Sequence, residues 1–209
     1  YAKAKIISAP PRSRNILDRW FLSRLNTLIM ESSICLDNYN VSEAARNIEK
    51  FINEDLSLWY IRRSRRRFQQ PDNKKDFADG SRTLGYGFYV LARLCAPFVP
   101  FFSEEIYQQL GGKKGNSVHL QDWPKTDKKK QNMALEKQMC KVREMITIAL
   151  SQRAKSAIKV RQPLSELTIP ADDLVRNREL ANLIAEEVNV KKVLFGREIS
   201  LNTEITPDL

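Results

Sequence analysis

Apolar residues recur at intervals of three and four along the first three quarters of the chain, which predicts helices with one buried face. The first helix is predicted to begin at Ile16, after Pro10-Pro11, and to end near Asp37. A second is predicted from the turn at Tyr39-Asn40 to about Phe68, with Ser42 as its cap. The predicted buried stripe of this second helix is Val41, Ala45, Ile48, Ile52, Leu56 and Trp59.

Proline and polar residues divide the middle of the chain. The polar segment 69–82 predicts a loop, and a third helix over 83–95 has to stop before Pro97. Ser103, followed by two glutamates, predicts the capped start of a short helix. A fourth long helix is predicted over 135–157, so that four antiparallel helices share one core.

The pattern changes after Pro163. Segments 164–169 and 190–195 are typical of strands, and 174–187 between them is typical of an amphipathic helix. The stretch 198–209 predicts one more strand, and its Thr-Pro-Asp-Leu end predicts that the chain is a fragment. We therefore expect a mainly α protein with two parts, an antiparallel helical bundle over 1–162 and a small C-terminal α/β appendage over 163–209.

The charge balance points to an anionic partner. The 209 residues contain 35 Lys plus Arg and 25 Asp plus Glu, which leaves a net charge of +10. An excess of this size is typical of proteins that bind a polyanion.

The sequence contains few residues of the kinds that bind metals or nucleotides or carry out catalysis. One histidine, three widely separated cysteines and no glycine-rich loop predict no metal site, no nucleotide site and no catalytic residue. Cysteines scattered through apolar helical patterns predict buried thiols in a reducing compartment. No stretch approaches the ~20 apolar residues of a membrane helix, so we expect a cytoplasmic protein without a membrane partner.

Five arginines crowd the end of the second helix, in the run Trp59-Tyr-Ile-Arg-Arg-Ser-Arg-Arg-Arg-Phe68. At about 100° per residue, the buried stripe continues into Arg62, Arg63, Arg66 and Arg67. Unpaired guanidinium groups cannot enter an apolar core, so these side chains predict an anion outside the bundle. The helix dipole explains one or two of them, and acidic groups of a neighbouring domain remain an alternative.

Antiparallel packing predicts that three basic segments meet at one pole of the bundle. The start of the first helix and the end of the fourth are expected beside the arginine run. The lysine run 128–130 is expected nearer the opposite end, as a solvated segment. The residues expected to join the arginine run are Arg12, Arg14, Arg19, Trp20, Arg24, Arg153, Lys155, Lys159 and Arg161.

Several motifs match a known family in order along the chain: Asn15-Ile-Leu-Asp-Arg-Trp-Phe-Leu-Ser-Arg-Leu-Asn26, the run 53–68, and Leu94-Cys-Ala-Pro-Phe-Val-Pro-Phe-Phe-Ser-Glu-Glu-Ile-Tyr107. Segments 119–124, 159–164 and 186–193 continue the match. The chain resembles isoleucyl-tRNA synthetase over nearly its whole length, in the class Ia anticodon-binding domain. Valyl and leucyl relatives share part of the pattern, and Gln69 stands where the family usually has tryptophan.

The resemblance implies binding of the isoleucine transfer RNA, tRNA(Ile), at its anticodon stem and loop. ATP-dependent joining of isoleucine, with ATP and magnesium, is then expected in a catalytic domain outside these residues, so no cofactor is expected here. The other expected partner is the remainder of the synthetase. An alternative is a basic helical module that docks an acidic protein. The predicted RNA-binding residues are Arg19, Trp20, Arg24, Arg62, Arg63, Arg66, Arg67, Lys159 and Arg161.

Overall fold

The computed structural model describes residues 8–111, 116–171 and 177–204. The chain forms two compact units, Tyr1–Asn132 and Met133–Leu209. Helices dominate, and the strands form one small sheet in the second unit. This confirms a mainly α protein with a helical bundle and a small α/β part. The predicted domain division at residue 162 stays a prediction, since the compact units divide before the long helix that precedes it.

The described part of the first unit contains five α-helices and a π-helical segment. Asn15 caps the first of them, and its side chain accepts a hydrogen bond from the Leu17 amide at 3.0 Å. Asn40, not the predicted Ser42, caps the second. The elements are α1 (Ile16–Asp37), α2 (Val41–Lys50), the π-helical segment (Phe51–Ile61), α3 (Arg65–Gln69), α4 (Lys74–Cys95) and α5 (Pro100–Gln109).

Two predicted helix starts are wrong. α4 begins at Lys74, within the predicted loop, because the Asn73 side chain accepts from the amides of Lys75 and Asp76 at 2.8 and 3.2 Å. α5 begins at Pro100, which needs no amide partner at the first helical position. Ser103, predicted as its cap, is instead buried inside the helix.

Side-chain pairs show how the helices of the first unit run. Hydrogen bonds join Asn47 to Cys35, Arg24 to Asp55, and Tyr60 to Asp18. The second helix, which consists of α2 and the π-helical segment, is therefore antiparallel to α1. The side chain of Asn15 donates to Asp76, and Phe21 lies against Gly87 further along, so α4 runs in the direction of α1. The start of α1, the end of the second helix and the start of α4 therefore lie together.

The π-helical segment changes which residues of the second helix face inward. Hydrogen bonds from residue i to i+5 take more residues per turn than the α-helical spacing assumed by a 100° projection. The inward positions are Phe51, Asp55, Leu56, Trp59, Tyr60 and Ser64, at intervals that reach four and five. The predicted stripe is partly wrong: because of the π-helical segment the inward face does not continue into Arg62 and Arg66. Val41, which precedes that segment, is 52% exposed.

The second unit packs two helices with a three-stranded sheet of order β2-β1-β3. β1 and β2 are parallel, with Leu164 opposite Val190, and β3 is antiparallel to β1. Residues 174–176 of the predicted helix lie outside the described residues, and the helix is observed from Arg178. The elements are α6 (Met133–Lys155), β1 (Leu164–Pro170), α7 (Arg178–Val188), β2 (Val190–Gly196) and β3 (Ser200–Leu201).

Arg153, predicted at the basic pole, is buried in the second unit at 1% exposure. Its guanidinium donates to the carbonyl oxygens of Lys159, Gln162 and Asn189 at 2.8 to 3.1 Å. Burial lowers its pKa from the ordinary arginine value. Arg153 therefore joins the end of α6 to the following loop and to the start of β2, and its inclusion in a surface pole is wrong.

The cysteines follow the buried-thiol prediction only in part. Cys35 and Cys95 are partly buried, and burial raises the pKa of the Cys95 thiol to about 11. Cys140 is exposed. Among the described helices, none has the length and hydropathy required to cross a bilayer.

A substitution at Gly87 would test how closely α4 packs against α1. A Cβ atom at this position would lie 2.7 Å from the Phe21 ring. We expect Gly87→Ala to lower the free energy of unfolding by about 1–3 kcal/mol, because the ring is held in the core. The control is Gly85→Ala on the same helix, at a partly exposed position, where alanine should stabilise by about 0.5–1 kcal/mol. Urea unfolding measures both, and equal effects would contradict the packing argument.

Candidate nucleic-acid interface

One arginine of the predicted run, Arg67, is paired inside the protein. Its guanidinium donates to both carboxylate oxygens of Asp18 at 2.7 Å, and the Arg67 side chain is 9% exposed. It also lies 2.7 Å from the Asp76 carboxylate and donates to the Asp76 carbonyl oxygen. Arg67 thus connects α3 to α1 and α4 at the end of the bundle where all three meet.

Two neighbours complete this buried pair. The Tyr60 hydroxyl donates to Asp18 at 2.6 Å, and its ring stacks on Phe21 with centroids 4.3 Å apart. Burial, followed by the charge of Asp18, raises the pKa of Tyr60, so the phenol stays a neutral donor. Gly80 leaves room for the guanidinium, since a Cβ there would lie 2.7 Å from Arg67 Cζ. We call Asp18, Tyr60, Arg67, Asp76 and Gly80 the Arg67 cluster.

The cluster corrects the expectation that these arginines lack an internal partner. Arg67 is satisfied by the chain itself, so it is not available to an external anion in this structure. Trp20 is 1% exposed, which places its ring in the core instead of at the surface. Arg24 pairs with Asp55 at 3.0 Å and is only partly exposed. All three support the bundle in this structure, and their contacts with RNA stay predictions.

Other cations surround the Arg67 cluster and point outward. The ion pair of Arg66 with Asp72, at 3.3 Å, has side chains 80% and 82% exposed, so it contributes little to stability. The side chains of Arg14, Arg19 and Arg65 are exposed and make no interaction within the described part of the chain. We call the exposed set at this end of the first unit the basic end: Arg14, Arg19, Arg65, Arg66, Lys74 and Lys75.

The remaining predicted residues fall into two groups. Arg62 is exposed and donates to the Leu58 carbonyl oxygen at 2.8 Å, while Arg63 is partly buried. Lys159 and Arg161 are exposed on the second unit. The RNA-binding roles of these four residues stay predictions.

The predicted RNA-binding residues omit four members of the basic end, Arg14, Arg65, Lys74 and Lys75, of which Arg14 was expected at the basic pole only. Arg65 was omitted because a regular α-helical projection turns it away from the stripe, and Lys74 and Lys75 were assigned to a loop. The Asn73 cap was the available signal for the two lysines. The lysine run is also wrongly placed: Lys130 Nζ lies 3.3 Å from the Pro11 carbonyl oxygen, just before the start of α1.

Comparison with known proteins gives a consistent result. A family model described as the anticodon-binding domain of tRNA ligase matches residues 18–168. Isoleucine–tRNA ligase of Clostridium novyi is 41% identical over 203 residues, which cover 94% of this chain and 19% of that protein. Isoleucine–tRNA ligase of Thermus thermophilus is 38% identical over 210 residues, which cover 96% and 20%.

A third relative, isoleucine–tRNA ligase of Porphyromonas gingivalis, is 40% identical over 191 residues, covering 90% of this chain and 17% of that protein. The chain therefore spans about a fifth of the length of the relatives it matches.

Arg67 and Arg65 are expected to differ sharply in their effect on stability. Arg67→Ala leaves Asp18 buried without its charge partner, which should cost about 3–5 kcal/mol of unfolding free energy. Arg65→Ala removes an exposed side chain from the same short helix and should change stability by less than about 0.5 kcal/mol. Denaturant unfolding of the two variants measures the difference. Comparable losses would show that Arg67 is not the structural member of the pair.

Proposed function

Because the chain belongs to the anticodon-binding domain family of tRNA ligases, we propose that its basic end binds the anticodon stem and loop of a transfer RNA. The observation that carries the proposal is the exposure of six cations around the Arg67 cluster, whose own arginine is paired with carboxylates of the chain. Arginine forks suit phosphate oxygens, and lysines add point charges that follow the RNA backbone. We expect this binding to position the RNA, because the cations of the basic end contact phosphates and are assigned no part in chemistry.

We further propose that the RNA is tRNA(Ile), as the names of the relatives suggest. The full-length protein would then be an isoleucine–tRNA ligase that attaches isoleucine with ATP and magnesium in a domain outside this chain. The remainder of that protein is a proposed partner, and the cytoplasm is its proposed location. These statements concern the whole protein, of which the chain matches about a fifth.

The proposal predicts RNA binding that weakens with salt. Each phosphate neutralised should contribute about 0.7–0.9 to the slope of log affinity against log salt concentration. Arg65→Ala/Arg66→Ala removes two exposed guanidinium groups, so we expect a shallower slope, by roughly 1.4–1.8, and weaker binding. Fluorescence anisotropy with a labelled tRNA(Ile) transcript measures the slope over a range of KCl concentrations.

The matched control is Lys50→Ala/Lys137→Ala, which removes the same charge from exposed positions outside the basic end. Its slope should equal that of the unchanged protein. An acidic polypeptide tests the alternative of a protein partner. If the acidic polypeptide binds as tightly as the transcript, or if Arg65→Ala/Arg66→Ala binds RNA normally, the proposed interface is wrong.

A further inference from the structure

The lysine turn Lys128–Lys130 is fixed on α1 by polar groups that lie in the core. The Asp127 amide donates to the Asn26 side chain at 2.8 Å, and the Asn132 amide donates to Ser23 Oγ at 2.7 Å. Asn26 is 2% exposed and Ser23 is fully buried. The Asp127 carboxylate caps the turn by accepting from the Lys129 amide at 3.0 Å. The backbone of the turn therefore has a defined position against α1.

The same face of α1 leads from this turn toward the basic end. Arg19, Ser23 and Asn26 follow the i, i+4, i+7 spacing, so they lie along one stripe of the helix. Arg19 occupies its exposed, N-terminal position. Lys130 Nζ reaches the Pro11 carbonyl oxygen at 3.3 Å, which places the turn beside Arg12. Cations thus continue across α1 from the basic end.

This second group of cations has little internal compensation. The side chains of Arg12, Lys128 and Lys129 are exposed and have no interaction among the residues that the structure describes. The only carboxylate in segments 11–14 and 127–132 is Asp127, which caps the turn and whose single negative charge leaves the cations of these segments in excess. We call Arg12, Lys128, Lys129 and Lys130 the lysine strip. Like charges held this close repel each other unless an anion lies over them.

We propose that the lysine strip is a second phosphate-binding surface, which contacts a stretch of RNA backbone other than the one at α3 and α4. This rests on the proposed function. Asp18, which faces Arg67, and Arg19, which begins the stripe toward the strip, are successive residues and so diverge by about 100° around α1. The α3 and α4 cations of the basic end and the lysine strip therefore flank the start of α1 on different sides, and Arg19 lies on the side of the strip. Lysines fixed on a capped turn neutralise phosphates without reading bases, so the strip orients the RNA.

Lys128→Ala/Lys129→Ala tests the proposal in the whole chain. Both side chains are exposed, and alanine keeps the backbone amide that Asp127 caps. We expect the salt slope for the tRNA(Ile) transcript to become shallower by about 1.4–1.8, with an unchanged thermal midpoint. Lys128→Glu/Lys129→Glu should weaken binding further, because it places negative charge against phosphate. Lys50→Ala/Lys137→Ala is again the control of equal charge.

The outcomes separate this inference from the proposed function. If Arg65→Ala/Arg66→Ala weakens binding while both lysine variants retain the affinity and slope of the unchanged protein, the strip does not contact RNA and only this inference fails. If the unchanged protein does not bind the transcript, both fail. A slope change in the Lys50→Ala/Lys137→Ala control equal to that of the strip variant would mean a general charge effect and would also overturn the inference.

Discussion

The buried ion pair of Arg67 and Asp18 is the constraint on which the first unit depends. Two charges removed from water are tolerated only when their hydrogen-bonding capacity is satisfied, and here both guanidinium contacts are 2.7 Å long. Tyr60 satisfies the same carboxylate, and Asp76 meets the other side of the guanidinium. Because these residues belong to different helices, the pair fixes the end of one long helix against the starts of two others.

This constraint also determines where the exposed cations lie. Arg65 and Arg66 share a short helix with Arg67, and Lys74 and Lys75 begin the helix that contains Asp76. Their Cα positions are consequently set by a buried contact and not by the surface itself. A surface whose backbone is fixed before binding loses less conformational freedom when it meets a ligand, which favours affinity for a given number of contacts.

The sequence predicted the features that depend on simple periodicity and failed where backbone geometry departs from it. The bounds of α1, the long helix α6 and the two parallel strands follow from apolar spacing, and all were predicted to within a few residues. The π-helical segment was missed because a change to i→i+5 hydrogen bonding has no residue pattern in a single sequence. The early start of α4 was missed because Gly80 resembles a loop residue, whereas it makes room for Arg67.

The candidate site was predictable as a region but not residue by residue. The arginine run at the end of the second helix, together with antiparallel packing, correctly predicted that this run lies beside the start of α1. Which arginine turns inward depends on the π-helical segment and on Asp18, some fifty positions earlier, and neither is visible in the local sequence. Separating Arg67 from Arg65 and Arg66 therefore required coordinates.

Internal pairing does not weaken the electrostatic case for an anionic partner. A pair such as Arg67 with Asp18, or Arg24 with Asp55, removes one charge of each sign from the balance, so the net charge of +10 is unchanged. Arg153 is different, because two of its guanidinium nitrogens donate to carbonyl oxygens, which carry no net charge that could cancel its own in the interior. The excess that remains has to be carried mainly by exposed residues. In the first unit the basic end and the lysine strip place exposed cations beside the start of α1, which is an arrangement that an extended polyanion can neutralise.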